Sequence, residues 1–184
     1  MEYEPTVYSG SSACSEEVNA NDTAAAACII LSHIYSACKY AVKDSGLNCL
    51  YFYPKEYLEE AHRRGIADKD AEIEKGKRFM LKFCAIIFAV PVLIIALWNR
   101  TADFKTAYMQ AALFLVVVNW FDALVIDRLW VGHSRIWIIK GMEGVPYVKP
   151  WRNILIKRTL ATVMYLIIAL AVAGIAVLIV NICF

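Results

Sequence analysis

The chain has 184 residues, 60% of them apolar, and a formal net charge of +2. A water-soluble domain of this length is nearer half apolar, so the surplus points to a bilayer, and the near-neutral balance argues against a nucleic-acid binder. Charge is unevenly spread: Met1–Thr23 holds five acids and no Lys or Arg, while the cations gather in two later stretches.

Residues 1–23, rich in Ser, Asn, Ala and Glu, read as a flexible acidic tail. No basic n-region or clear cleavage site marks a signal peptide. The run 24–42, AAAACIILSHIYSACKYAV, is a marginal first membrane helix, with its connection reaching residue 53. His33 and Lys39 interrupt it, and alanine is only mildly apolar. The competing reading is an amphipathic helix packed against the other spans or lying in the interface.

Residues 54–78 predict two amphipathic helices. Pro54 suits the first helical position of KEYLEEAHRR, Gly65 its end, and Asp68 the cap of a following helix that runs into the membrane. Glu74 and Arg78 are spaced for an i,i+4 pair. Glu59 and His62 have the spacing of half a di-metal carboxylate site. With no second copy, a surface helical pair is the simpler reading, and no metal or other cofactor is expected.

A bilayer core of about 30 Å takes roughly 20 apolar residues as helix. Residues 79–98 meet this, with one charge, Lys82, near an end, and so do residues 159–183, free of charge from Leu160 to Cys183. Residues 107–127 are long enough but contain Gln110, Asn119 and Asp122. The link between 79–98 and 107–127 is short, which makes them antiparallel neighbours. Eight cations from Lys55 to Lys82 precede that pair, seven from Arg128 to Arg158 follow it, and only Arg100 and Lys105 lie in the link. Both basic stretches therefore share a side, and the positive-inside rule makes it cytoplasmic. The expected fold is an all-α membrane bundle of about four transmembrane helices. If 24–42 spans, both termini lie outside.

The basic, aromatic segment 128–158 forms the second cytoplasmic part. Its IWII run, ended by Lys-Gly and followed by Met-Glu-Gly and Val-Pro, predicts a short strand and turns. Trp130, Trp137, Tyr147 and Trp151 interleave with cations, as residues at a membrane interface do. The six cysteines show no CxxC pair, and Cys84 and Cys183 lie in apolar runs as small hydrophobes.

Asn119, Asp122 and Asp127 form the polar cluster of the third span, with Arg128, His133 and Glu143 as candidates just beyond it. At 100° per residue Asn119 and Asp122 share a face, whereas the two aspartates stand about 140° apart on a straight α-helix. Asp122 lies roughly 22 Å in from Ala107 at 1.5 Å per residue. A carboxylate at such depth needs a partner or a proton. His33, Lys39 and Lys82 on other spans are the candidate partners. Asn119 and Asp122 then act as interhelical glue, as part of an ion pathway, or, with Asp127, His133 and Glu143, as an enzyme site around a metal or phosphate.

The stretch FDALVIDRLWVGH followed by IKGMEG resembles small bacterial multi-pass membrane proteins to which no function is attached. The resemblance runs from about Tyr53 to the C-terminus and is strongest over Asn119–Gly144. It implies a bacterial inner-membrane protein, and the permease-like labels of some such sequences add transport association. Four helices make a poor complete transporter. The expected role is therefore a transport-associated or accessory subunit without catalysis, partnered by the lipid bilayer and by its own copies or another membrane protein. The competing role is an enzyme at the cytoplasmic face.

Overall fold

The computed structural model describes residues 46–184 and eight helical positions between residues 25 and 39. The acidic tail, most of the 24–42 run and His33 lie outside the described residues. Four helices organise the rest: α1 Lys55–Arg63, α2 Lys69–Leu93, α3 Phe104–Phe121 and α4 Trp151–Cys183. Two of them do not end where the α-helix ends. α2 continues as a π-helical turn, Ile94–Trp98, and α3 as a longer π-helical segment, Asp122–Val131. With these extensions, three helices are long and apolar enough to cross a membrane: Lys69–Trp98, Phe104–Val131 and Trp151–Cys183.

The ends of these helices follow from local chemistry. The Asp68 carboxylate accepts the Asp70 N–H at 3.0 Å and starts α2, and Asp103 accepts the Thr106 N–H at 2.7 Å and starts α3. Pro54 sits one residue earlier than the sequence suggested, as the N-cap of α1. Pro91 is buried inside α2 and withholds one rung of the helix ladder, shortly before the chain widens into its π turn. The hairpin between α2 and α3 is fastened by Gln110, whose side-chain oxygen accepts from Asn99 Nδ2 at 3.0 Å.

α3 is the most buried of the three long helices and packs most extensively on α4. Ala107 and Ala111 on α3 and Ala169, Val172, Ala173 and Ala176 on α4 are buried at this seam. Small side chains one turn apart let the backbones approach closely, which is how helices gain packing where lipid removes the hydrophobic drive. Outward-facing Leu113, Ile167 and Leu178 are more than half exposed, as a lipid-facing surface requires.

A second core lies at the end of the bundle that carries residues 46–68 and 132–150, here called the basic end. Cys49, Leu50, Tyr53, Tyr57, Leu58 and Ala61 pack with Trp137, Ile139 and Met142. Tyr53 donates its hydroxyl to the Trp137 carbonyl at 2.7 Å, and Arg64 donates to the Gly141 carbonyl at 2.7 Å. The two basic stretches are thus one folded unit. The strand expected at IWII is absent: Arg135–Trp137 is a single 3₁₀ turn capped by Ser134, and the described residues contain no strand. Within the run Trp137 and Ile139 are buried while Ile136 is exposed. The partners of the buried pair are helix and turn side chains rather than a neighbouring strand, so nothing completes a ladder.

Candidate functional site

The polar cluster is built by α3, its π extension and the first turns of α4. Asn119 is 2% exposed and donates through Nδ2 to the Arg158 carbonyl and to Thr162 Oγ1, both at 3.0 Å. The Thr162 hydroxyl in turn donates a hydrogen bond to the Arg158 carbonyl at 2.8 Å. Arg158 Nη2 lies between the two carboxylates: it donates to Asp122 Oδ2 and, at 2.9 Å, to Asp127 Oδ2. The Arg158 side chain is 23% exposed, so this guanidinium is largely enclosed by its acids.

Two expectations change here. The partner of Asp122 among the described residues is Arg158, not Lys39 or Lys82, which are exposed. The aspartates also do come together. An angle of 140° holds for an α-helix, but Asp122–Val131 is π-helical. Its ladder runs from residue i to i+5, so residues five apart stack as residues four apart do in an α-helix. Asp127 is brought round onto the Asp122 face, and one nitrogen serves both.

Electrically the cluster balances. Two carboxylates face Arg158, and Lys149 lies within electrostatic reach of both. Burial pushes the Lys149 ammonium below its ordinary value, while Asp127 pulls the other way. A neutral sum is what a low-dielectric site requires, since an uncompensated charge there costs several kcal/mol.

The remaining sequence candidates stand apart. The Nδ1–H of His133 donates to the Arg128 and Leu129 carbonyls at 3.2 Å, closing the end of the π segment. Glu143 accepts the Gly141 N–H at 3.0 Å in its own turn, and backbone hydrogen bonds hold its carboxyl below the usual range. Arg128 lies over the Trp151 ring, 5.5 Å from its centroid. No described hydrogen bond or ion pair joins His133 or Glu143 to Arg158. Glu59 pairs with Lys69 at 2.9 Å, and the described residues contain no group of three His, Cys, Asp or Glu side chains placed to hold a metal ion.

The residues that sequence reasoning missed are Arg158 and Thr162. The signal was available. α3 and α4 run antiparallel, so the last turns of one meet the first turns of the other, and a cation at the threshold of α4 stands level with Asp122. The fold and this cluster define a multi-pass helical bundle of the membrane class with an internal ion-paired lock. No protein family, no characterised protein and no solved structure matches the chain.

Proposed function

We propose that the protein is a non-catalytic accessory subunit of a transport-associated assembly in a bacterial inner membrane, with its basic end cytoplasmic. The observation that carries this reading is the pairing of Asp122 and Asp127 with Arg158. These are the acids that an ion pathway or an enzyme would use, and their charge is spent joining α3 to α4. What the chain offers to others is its surface: lipid-facing helices and a basic, aromatic end. A second copy or another membrane protein is the expected partner. The seven cations between Arg128 and Arg158, against Glu143 alone, support the cytoplasmic orientation.

A fourth span over 24–42 fits the same reading. Leu31 packs against the membrane core, and the Tyr35 ring lies 5.4 Å from that of Trp130. A span holding both contacts would run beside the bundle towards its basic end.

Replacing the whole lock at once tests the proposal. Asp122→Asn, Asp127→Asn and Arg158→Leu combined remove the shared cation and both of its acids, while Lys149, only partly buried, keeps its ammonium within reach of water. A structural lock predicts that the triple variant folds, keeps its partner on purification in mild detergent, and rescues a deletion strain. A folded triple variant that cannot rescue would overturn the reading in favour of transport or of catalysis at the cytoplasmic face.

A further inference from the structure

We propose that the face of α4 from Arg152 to Val163 docks one anionic phospholipid, its headgroup phosphate on the Arg152 guanidinium and one acyl chain in the groove below. At 100° per residue Ile156, Thr159 and Val163 fall within about 40° of Arg152, so the cation heads an apolar stripe. Leu155, Ile156, Thr159, Leu160 and Val163, all on α4, line a shallow groove of about 420 Å³ that is widely open on its outer side. The groove runs for roughly 12 Å along the helix, most of one leaflet of about 15 Å.

Depth and charge agree with that occupant. Trp151 is half-buried at the start of α4, and an indole there sits at headgroup level, with the groove at acyl depth. Arg152 is exposed and makes no hydrogen bond, ion pair or ring contact with the described residues. Its planar fork matches a phosphate in two-point fashion. Residues 128–157 carry six cations and one acid, so the field around the groove favours a net-negative headgroup over a zwitterionic one. This inference rests on α4 being a membrane span; the accessory role can fail while it stands.

Native mass spectrometry of the full chain in mild detergent tests it, with phosphatidylglycerol and phosphatidylcholine of identical acyl chains as probes. One retained phosphatidylglycerol, preferred several-fold over phosphatidylcholine, is expected. Arg152→Gln should lower retention at least five-fold, and Val163→Trp, which fills the groove, should do so independently. Lys140→Gln loses the same charge away from the groove and should retain lipid as the parent does. Equal retention of the two lipids, an Arg152→Gln protein that binds like the parent, or a Lys140→Gln protein that loses as much lipid would each overturn the proposal. So would displacement by millimolar inorganic phosphate, which would mean that an anion site without an acyl component is present.

Discussion

Arg158 and Gly46 show how much single side chains decide in this chain. Without its guanidinium, Asp122 and Asp127 face each other at the edge of lipid. Arg158→Leu should therefore lower stability by about 2 kcal/mol, between the ~1 kcal/mol of interhelical hydrogen bonds and the ~3–5 kcal/mol of a broken buried pair. Asp122→Asn should cost less than half of that, because Asp127 still holds the arginine. Melting in detergent measures both, and equal losses would mean that Arg158 is not the shared partner. Gly46 and Gly65 both have positive φ, 71° and 69°. A Cβ at Gly46 would stand 2.4 Å from the Tyr53 hydroxyl, while one at Gly65 meets nothing within 4 Å. Gly65→Ala should lose the ~1 kcal/mol of a left-handed residue. Gly46→Ala should lose that and also the Tyr53–Trp137 bond, read as a clearly larger fall in melting temperature.

Among the elements, the π segment of α3 separates what the sequence tells from what it hides. Asn119 and Asp122 were legible as one polar face because both precede or open the π segment, where α-helical spacing still holds. Asp127 was not, since no local pattern announces a change from a four-residue to a five-residue ladder. The IWII run was legible as apolar but not as a turn, because a short apolar run with β-branched side chains suits a strand as well. Helix starts at Asp68 and Asp103 depend on a carboxylate two or three residues before a free N–H, a purely local matter. The core at the basic end carries its own pH signature. Burial raises the Tyr53 and Tyr57 hydroxyls above the ordinary tyrosine value of about 10. A raised folded value means that their contribution is complete below the unfolded pKa and is lost as pH rises through the folded one. Ultraviolet titration should find at least two of the ten tyrosines un-ionised past pH 10 until the core opens. Simple titration of all ten would contradict the packing.

Across the whole molecule, orientation is the property from which the others follow. With the basic end cytoplasmic, a single-cysteine probe at Asp103 should react with an impermeant reagent in sealed cells, and one at Gly144 should not. Labelling at Gly144 alone would invert the protein and move the proposed lipid to the other leaflet. A reporter fused at Gly10 should lie outside if 24–42 spans. The three long helices were legible because length and hydropathy suffice for them. The fourth was not, because its alanines, His33 and Lys39 leave burial to be decided by neighbours.

The docking of Tyr53 on Trp137 joins residues 84 positions apart, across two membrane crossings. During synthesis, residues 47–66 emerge first and must keep Leu50, Tyr57 and Leu58 unsatisfied until α2 and α3 have inserted and Trp137, Ile139 and Met142 follow. The core at the basic end thus reports that the hairpin has entered the membrane with both ends on the correct side. A chain inserted with α2 alone would hold the two halves of this core on opposite faces of the bilayer, with apolar surface open to proteolysis. A chain truncated after His133 should accordingly be degraded faster than one truncated after Val148, although both contain the complete hairpin.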